Sequence, residues 1–404
     1  MRILLTSWGS RGDIEPLAAL ALQLREQGAE VRACLPPDDE FVALLGRVGV
    51  PLIPLGPTTR SIAAGLTAPA PDAAFRLAAE LVAARFAVLP AAAQGCDAIV
   101  ATGLMPAGAR DVAESIGIRS VLATFHIFGL PSRHFAPAAR PGRQSAAGET
   151  DNRVLWRDDA ARVNALYLEP LNRGRAGLGL PPVDDVRAHV LGSETWLAAD
   201  PVLAPWRDLT DLPLVQTGAW VLPDDRPLPD EVVAFLDAGE PPVFVGFGSM
   251  AMRGTSGLAR IAIDGARAAG RRLVLSTGWA GLAADVDDDD AIDVLVVGEL
   301  NHQALFPRVA AVVHHGGAGT TTTAALAGTP QVIVPQIVDQ PHWARRVAEL
   351  GIGAAHPGPT PTAASLADAL TLALRPETQA RAAAIAAQVQ RDGAAVAARL
   401  LLEG

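Results

Sequence analysis

Apolar runs and amphipathic stretches alternate along the chain. The opening run "MRILLTSW" is followed by a polar break, "GSRGD". From Pro16 onward, leucines recur at a helical spacing until Gly28, and the apolar run "AEVRACL" comes next. This order predicts a strand, a helix and a second strand. Pro16 suits the first turn of that helix, where its missing N–H is not needed.

The second half of the chain repeats this plan. The apolar run "PPVFVGF" is broken by "GSM", the helical pattern "LARIAIDGARAAG" ends at Gly270, and "RRLVLSTGW" reads as a further strand. Nearly continuous apolar strands that alternate with amphipathic helices are typical of parallel sheets covered on both faces. We therefore predict two doubly wound α/β domains, each of which opens with a strand, a Gly-Ser loop and a helix.

The length of the chain agrees with two domains, because 404 residues exceed what one ordinary core supports. Clustered prolines and acids mark a linker, and the predicted segments are residues 1–207, a linker at 208–228, residues 229–384 and an Ala-rich helical end at 385–404. Ligands of such sheets bind outside the carboxyl ends of the strands. With two facing domains, we expect the ligand in the cleft between them.

Composition narrows the class of protein. No apolar run approaches the ~20 residues of a membrane span, and the apolar start is shorter than the ~7–15 residues of a signal-peptide core. Cys34 and Cys96 are the only cysteines, so neither a disulfide framework nor a cysteine zinc site is expected. We expect a soluble cytoplasmic protein without a membrane span.

Charge excludes several activities. The net charge of −10 argues against nucleic-acid binding, which depends on basic patches. All 33 basic residues are arginine. The absence of lysine excludes P-loop NTPases, which use a lysine on phosphate, and pyridoxal enzymes, which form a Schiff base with lysine.

The stretch "RVAAVVHHGGAGTTTTAALAG" carries the clearest chemistry. It reads as a buried strand, a glycine turn and a helix start, and the free N–H groups at a helix start form an anion site. We expect Thr320 and Thr321 to cap the helix and to donate hydroxyls to a phosphate. His315 could neutralise the charge that develops on a departing phosphate group. The pattern favours a diphosphate ligand.

Other interpretations of this stretch fit less well. A nicotinamide site needs GxGxxG, but Thr322 stands where the last glycine belongs. Adjacent histidines on a strand point to opposite faces and do not make a zinc site. A tight turn beside a satisfied core histidine stays open as the plain structural alternative. The acidic run at 285–290 is more typical of a solvated loop than of a metal site.

Longer motifs bring in a known family. The stretches "HHGGAGTTTTAALAGTPQVIVPQIVDQP", "GSRGDIEP", "QTGAW", "FGS", "STGWAGL" and "NHQALF" resemble the bacterial family 1 glycosyltransferases, nearest to the vancomycin and chloroeremomycin type. The likeness covers essentially the whole chain. It implies a GT-B fold, in which two Rossmann-like doubly wound parallel-sheet domains face a cleft, with the C-terminal helix packed back on the N-terminal domain.

The resemblance also implies the activity. The N-terminal domain would bind an acceptor aglycone and the C-terminal domain a nucleotide sugar. The reaction would be an inverting, metal-independent transfer of a hexose or deoxyhexose from a dTDP- or UDP-sugar to a natural-product hydroxyl, in antibiotic biosynthesis. The nucleotide sugar is then a co-substrate, no cofactor is needed, and a monomer or weak dimer is expected.

Donor-binding residues follow by matching motifs. The implied phosphate contacts are Ser249, His315, Gly316, Gly317, Ala318, Gly319 and Thr320, with Ser10 and Gly12 from the first N-terminal loop. The implied contacts to the donor sugar are Asp339 and Gln340. The implied contacts to the nucleotide base are Trp279, Val297 and Gly298. Plant relatives carry a stacking Trp near position 298 and a ribose-binding Glu at position 323, where this chain has Gly298 and Thr323. Loss of that Glu would suit a deoxyribose.

The resemblance places Asp13 in the role of general base. A carboxylate can take the proton from the acceptor hydroxyl if its pKa is raised toward neutrality. The alternative is that Asp13 merely caps the helix that it opens, with Glu15 nearby.

The acceptor is less well defined by sequence. Phe125, His126, Phe128 and Phe135 could line an apolar acceptor surface, or could be ordinary packing. Because "GSRGD" also occurs in sterol and lipid glucosyltransferases, a lipid acceptor is one alternative. Another is a non-catalytic nucleotide-sugar-binding protein, although Asp13 together with Asp339 and Gln340 favours an enzyme.

Overall fold

The chain forms two compact units. A computed structural model describes residues 1–65, 72–138, 149–192, 194–207, 212, 214–248, 257–278 and 286–403. Unit 1 comprises Met1–Ala199, Trp206–Leu222 and Asp392–Gly404, and unit 2 comprises Asp200–Pro205 and Pro223–Arg391.

Unit 1 is built on a seven-stranded parallel sheet of order β3-β2-β1-β4-β5-β6-β7. Its strands are β1 (Arg2–Trp8), β2 (Glu30–Leu35), β3 (Leu52–Pro54), β4 (Ala98–Gly103), β5 (Arg119–Thr124), β6 (Glu194–Leu197) and β7 (Val215–Gln216). Its first seven helices are α1 (Arg11–Glu26), α2 (Asp39–Arg47), α3 (Thr59–Gly65), α4 (Ala73–Ala92), α5 (Ala109–Ile116), α6 (Asn152–Gly177) and α7 (Val186–Leu191). Successive residues of β1 enter different core clusters, Ile3 and Leu5 one and Leu4 another, so both faces of the sheet are covered.

Unit 2 contains a six-stranded parallel sheet of order β10-β9-β8-β11-β12-β13. Its strands are β8 (Val243–Val245), β9 (Leu273–Ser276), β10 (Val294–Val297), β11 (Ala311–His314), β12 (Gln331–Ile333) and β13 (Gly353–Ala355). Its helices are α8 (Asp230–Asp237), α9 (Leu258–Ala268), α10 (His302–Leu305), α11 (Ala318–Ala327), α12 (Gln340–Glu349), α13 (Ala363–Ala373) and α14 (Pro376–Ala386). Val243 and Val245 face one core cluster and Phe244 another.

Both units follow the Rossmann strand order, which confirms the prediction of two doubly wound α/β domains. In this order the chain reverses direction between the first and fourth strands of each unit. That switch point lies between β1 and β4 in unit 1 and between β8 and β11 in unit 2. Loops at the carboxyl ends of these strands are the usual place for a ligand.

The last helix, α15 (Gly393–Glu403), belongs to unit 1. Its Ala397 and Leu401 are fully buried in the core cluster that also holds Leu17 of α1. Arg119 Nη1 donates to the carbonyl of Leu400 at 3.0 Å. The chain therefore leaves unit 2 after Arg391, within the segment predicted at 385–404.

The predicted linker at 208–228 is divided between the units. Residues up to Leu222 belong to unit 1, where β7 joins the sheet and Trp220 packs edge-on against Trp196 at 6.5 Å. These apolar side chains are buried on unit 1, and unit 2 resumes at Pro223. The predicted domain boundaries themselves stay a prediction.

Two helices begin earlier than the sequence pattern predicts. Helix α1 begins at Arg11 rather than near Pro16, because the carboxylate of Asp13 accepts the N–H of the N-cap residue Ser10 at 2.9 Å. Helix α11 begins at Ala318 with Gly317 as its N-cap, so the prediction that Thr320 and Thr321 cap it is wrong. Among the described helices, none is both long and apolar enough to cross a bilayer.

Candidate active site

The two strongest predicted site residues both follow switch-point strands. His315 comes directly after β11 in unit 2, and Asp13 lies in the first turn of the helix that follows β1 in unit 1. In unit 1 the loops after β1 and β4 are joined, because Leu104 N–H donates to the carbonyl of Trp8 at 2.9 Å. In each unit, one titratable side chain therefore lies at the edge of the sheet where a ligand is expected to bind.

The His315 ring is enclosed by glycines. A methyl group built on Gly317 would lie 2.7 Å from Nε2 of His315, and one built on Gly248 would lie 3.6 Å from its Cε1. The loop after β8 therefore approaches the loop after β11. Nδ1 of His315 is buried and has no hydrogen-bond partner among the described residues. An unpartnered buried ring nitrogen beside a helix N-terminus is an unmet hydrogen-bonding capacity that a ligand can satisfy.

Electrostatics keep His315 neutral near pH 7. Burial lowers its pKa to about 4, and the carboxylate of Asp339 acts in the opposite direction. His315 can therefore offer a neutral N–H to an anion. The expectation that it neutralises charge needs this refinement, because a positive charge on the ring would require its pKa to rise when the anion binds.

His314 is a fully buried core histidine. Its Nδ1 accepts the N–H of Gly316 at 3.1 Å, and its Nε2 lies 2.9 Å from Oε1 of Gln331. Burial, followed by the neighbouring His315, lowers its pKa to about 3. The plain alternative considered for this stretch, a tight turn beside a satisfied core histidine, thus describes His314.

The glycine turn and the threonines have internal partners. Gly316 has a φ of +91°, and a methyl group there would lie 2.7 Å from Ile333 Cγ2, so the turn requires glycine. Thr321 is fully buried, and its hydroxyl donates to the carbonyl of Gly317 at 2.9 Å. The prediction that Thr321 donates to a phosphate is therefore wrong. Thr320 and Gly319 stay partly or fully exposed at the helix start.

Asp339 and Gln340 lie at the start of α12, in the same unit as His315. Oδ2 of Asp339 accepts the indole N–H of Trp343 at 2.8 Å. Oε1 of Gln340 accepts the N–H groups of Gln336 at 2.7 Å and of Ile337 at 3.0 Å. The oxygen of Gln340 is thus used to hold the loop that precedes Asp339.

That loop is strained. Val338 has a φ of +55°, a conformation that β-branched residues rarely adopt and that costs about 1–3 kcal/mol. The hydrogen bonds of Gln340 on one side and of Asp339 on the other over-determine the loop. The hydrogen bond from the indole of Trp343 fixes the direction of the Asp339 carboxylate.

Asp13 has the geometry of a capping residue. Its Oδ2 accepts the N–H of Ser10 at 2.9 Å and lies 3.4 Å from the Ser10 hydroxyl. A methyl group built on Gly9 would lie 2.1 Å from the same Oδ2, so the close approach depends on glycine at that position. The capping alternative is therefore present in the structure. It is compatible with a second role as base, because Asp13 stays partly exposed.

Comparison with known proteins places the whole chain. It is 53% identical over 404 residues to glycosyltransferase GtfE of Amycolatopsis orientalis, covering 99% of this chain and 97% of that protein. It is 50% identical to the vancomycin aglycone glucosyltransferase of the same organism, covering 100% and 97%. Identity to its dTDP-epi-vancosaminyltransferase is 48%, covering 95% and 93%. The chain belongs to the vancomycin-type glycosyltransferase family.

The fold agrees with this assignment. Residues 288–398 match the family model of the erythromycin biosynthesis protein CIII-like C-terminal domain. The crystal structure of the glycotransferase of kitacinnamycin superposes with a TM-score of 0.74 at 20% identity, covering 100% of this chain and 98% of that one. The protein is thus a glycosyltransferase with two parallel-sheet α/β domains of the GT-B type, as predicted.

The remaining predicted donor contacts of this glycosyltransferase are divided. Ser249 and Trp279 lie outside the described residues. Val297 is buried at the end of β10, and Gly298 is exposed, with its carbonyl 3.5 Å from the Ser276 hydroxyl. Ser10 and Gly12 are exposed around the start of α1.

The predicted acceptor residues fall into two environments. Phe125 packs edge-on against Trp220 at 5.7 Å and belongs to the core of unit 1. This agrees with the alternative that Phe125 is an ordinary packing residue. His126 and Phe128 are partly buried with ring centroids 6.4 Å apart, and Nδ1 of His126 is buried with no described partner. Phe135 is partly buried, and its carbonyl accepts the indole N–H of Trp156 at 2.7 Å.

Clustered ionisable groups in the described ranges are explained by ion pairs. One group has metal-like spacing, Asp111, Glu114 and His189. Nη1 of Arg175 occupies it, at 2.5 Å from Asp111 and 3.0 Å from Glu114. In the acidic run, Asp290 pairs with Arg260, and Asp285 lies outside the described residues.

Sequence reasoning missed the residues that support the site. The sequence marks His314 only as a neighbour of His315, and it does not mark Gln331, Trp343 or Gly9. Trp343 had a readable signal, because it stands four residues after Asp339 at the start of a helix and so lies over the same face. Gln331 had none, because it meets His314 through sheet pairing.

Mild acid is expected to destabilise the protein steeply. The pKa of His314 is about 3 and that of His315 about 4 in the folded chain, whereas an unfolded histidine has a pKa of about 6.5. As the pH falls below about 6.5, the unfolded chain takes up these protons first. The free energy of unfolding therefore falls, by up to about 1.4 kcal/mol per pH unit for each histidine.

Urea unfolding followed by circular dichroism between about pH 7.5 and about pH 4.5 measures this slope. The His314→Asn variant lacks one of the titrating groups, so a shallower slope is expected for it. Equal slopes for the variant and the wild type would contradict the prediction.

Proposed function

We propose that the protein moves a hexose or deoxyhexose from a dTDP- or UDP-sugar to a hydroxyl of a natural-product aglycone, with inversion at the anomeric carbon. The acceptor oxygen forms a bond to that carbon while the bond from the carbon to the diphosphate oxygen breaks. The acceptor proton passes to the carboxylate of Asp13. The nucleoside diphosphate leaves with the electron pair of the broken bond, stabilised by His315 and the N-terminus of α11.

The unpartnered ring nitrogen of His315 at the switch point of unit 2 carries this proposal. The N–H groups of the first turn of α11 have no intrahelical acceptor and carry the positive end of the helix dipole. A neutral imidazole N–H and several amide N–H groups suit a diphosphate that gains charge as it leaves. These donors supply what a metal ion would supply in other transferases, so we expect metal-independent transfer without a cofactor.

The relatives support the proposed donor and acceptor. One relative at 50% identity is named a vancomycin aglycone glucosyltransferase, and one at 48% is named a dTDP-epi-vancosaminyltransferase. We propose a glycopeptide or similar aglycone as acceptor, bound by unit 1 near His126 and Phe128, and a nucleotide sugar bound by unit 2. The predicted cytoplasmic location and the monomer or weak dimer belong to this proposal.

Calorimetric titration of the purified protein with dTDP, UDP and NAD, in the presence of a chelator, tests the proposal. We expect dTDP or UDP to bind without metal and NAD not to bind, because the loop around His315 lacks the dinucleotide fingerprint. The preferred nucleotide then selects the sugars to be screened. If neither nucleoside diphosphate binds, the assignment of the His315 loop to diphosphate is wrong.

A turnover assay separates the remaining alternatives. The preferred nucleotide sugar is offered with a glycopeptide aglycone in one sample and with a sterol in another, and release of nucleoside diphosphate is measured. Transfer to the aglycone supports the proposal. Transfer to the sterol alone identifies a lipid glucosyltransferase. Nucleotide binding without turnover on either acceptor favours a non-catalytic binding protein.

A further inference from the structure

A chain of buried hydrogen bonds lies behind the loop of His315. It starts at the N–H of Gly316, which donates to Nδ1 of His314 at 3.1 Å. It continues from His314 Nε2 to Oε1 of Gln331 at 2.9 Å, and from Gln331 Nε2 to the carbonyl of Thr321 at 3.2 Å. His314 and Gln331 are both fully buried, so water does not compete for these bonds.

The direction of every bond in this chain is determined. A backbone N–H can only donate, so Nδ1 of His314 is the acceptor and the ring proton lies on Nε2. Nε2 therefore donates to Gln331, whose amide oxygen accepts and whose amide nitrogen donates to Thr321. The tautomer of His314 and the orientation of the Gln331 amide are consistent with each other, and all four groups are satisfied.

These buried hydrogen bonds connect the two ends of the glycine loop. Gly316 is the first residue of the turn, and Thr321 lies in the first turn of α11. Thr321 is also tied to the N-cap, because its N–H and its hydroxyl each reach the carbonyl of Gly317 at 2.9 Å. Register explains the contact with the next strand. Gln331 pairs with Val312, which lies two residues before His314 and therefore on the same face of β11.

The same hydrogen bonds also determine which backbone N–H groups are left for a ligand. The N–H of Gly316 is used by His314, and the N–H of Thr321 is used within the helix. The N–H groups of the intervening first turn, at Ala318, Gly319 and Thr320, have no acceptor inside an α-helix. An anion at the helix start would meet these groups together with the ring of His315.

We infer that His314 is a positioning residue for binding of the nucleoside diphosphate: by accepting the N–H of Gly316 it holds the glycine loop so that the first-turn amides and His315 face one anion. This rests on the proposed function of the loop. His314 does not contact the ligand. Its effect is exerted through Nδ1 on the loop, whereas Nε2 anchors the ring to Gln331.

Three substitutions separate the two ring nitrogens. In His314→Asn the side-chain oxygen stands near the position of Nδ1 and keeps an acceptor for Gly316. In His314→Gln the amide nitrogen stands near Nε2 and keeps the donor to Gln331 but offers no acceptor to the loop. His314→Leu keeps the approximate volume and removes both. Calorimetry measures the Kd for dTDP or UDP, whichever the wild type binds more tightly, and thermal unfolding is recorded for each variant.

We expect the Leu and Gln variants to bind the nucleotide about 10- to 100-fold more weakly, and the Asn variant to stay within about threefold of the wild type. A residue that serves only the core would lower the melting temperature of all three variants without this ranking of affinities. The inference is overturned if the Gln variant binds as tightly as the Asn variant, or if the Leu variant binds like the wild type. Failure of the wild type to bind any nucleoside diphosphate overturns the proposed function, and the inference with it.

Discussion

Replacement of Asp13 by asparagine is expected to lower kcat by about 10²- to 10⁴-fold while the affinity for nucleoside diphosphate is unchanged. The amide cannot take a proton from the acceptor hydroxyl. Its oxygen can still accept the N–H of Ser10, which Asp13 holds at 2.9 Å, so the start of α1 is preserved. Product formation at saturating donor and acceptor, with calorimetry for the nucleotide, measures both quantities.

A neighbouring carboxylate provides the control. Glu15 lies on the same helix and pairs with Arg11 at 2.7 Å on the surface, so Glu15→Gln is expected to leave kcat within about twofold. Gly9→Ala is expected to lower kcat as well, because the added methyl group would lie 2.1 Å from the carboxylate of Asp13. If Asp13→Asn retains turnover within a few-fold, Asp13 is a helix cap and another group is the base.

The second large effect is expected at His315. Replacement by glutamine removes the imidazole that is enclosed between Gly248 and Gly317, and we expect kcat to fall by about 10²- to 10³-fold, with weaker binding of nucleoside diphosphate. The physical reason is the loss of an N–H donor at the position of Nδ1, because the glutamine amide nitrogen stands near Nε2 instead. Steady-state kinetics over donor concentration, with calorimetry for the free nucleotide, distinguishes weaker binding from slower chemistry.

Proton linkage gives an independent test of the same residue. The pKa of His315 is about 4, and a bound diphosphate would raise it. Nucleotide affinity of the wild type should therefore rise as the pH falls below the raised pKa, and level off below about pH 4. His315→Gln reports the titration of the nucleotide alone, so its pH profile is the control. Identical profiles, or unchanged turnover in the variant, would exclude the proposed role.

A substitution that crowds the His315 ring tests whether the position of the ring matters for binding. In Gly317→Ala the new methyl group would lie 2.7 Å from Nε2 of His315, so the ring must move. Its effect on nucleotide affinity should have the same direction as that of His315→Gln. Normal affinity in Gly317→Ala would mean that the ring position does not matter for binding.

Much of the fold could be read from local pattern. The alternation of apolar runs and helical stretches predicts β1, α1 and β2 in unit 1, and β8, α9 and β9 in unit 2, and the structure has these elements. The strand order within each sheet could not be read in this way. Pairing of β8 with β11 joins Val243 to Ala311, about 70 positions later. No local pattern specifies such a partner.

The candidate site shows the same division. His315 was identified from its own neighbourhood, a strand that runs into a glycine turn and a helix, because anion sites at helix starts are local structures. Thr321 was misjudged because its hydroxyl turns inward to Gly317, which depends on where the helix begins. Phe125 lies in the core of unit 1 because Trp220, 95 positions later, packs on it, as the edge-on contact at 5.7 Å shows.

The fold class, the family and the residues of the proposed chemistry can be read from the sequence, because periodicity and contiguous motifs record local backbone and ligand geometry. Only the folded arrangement shows which of the two adjacent histidines is buried and satisfied, and which keeps a ring nitrogen without a described partner. It also shows that Gln331 supports the glycine loop through the carbonyl of Thr321, and that the indole of Trp343 donates to Asp339. These roles depend on sheet register and burial, and both are properties of segments that are distant in sequence and meet only in the folded chain.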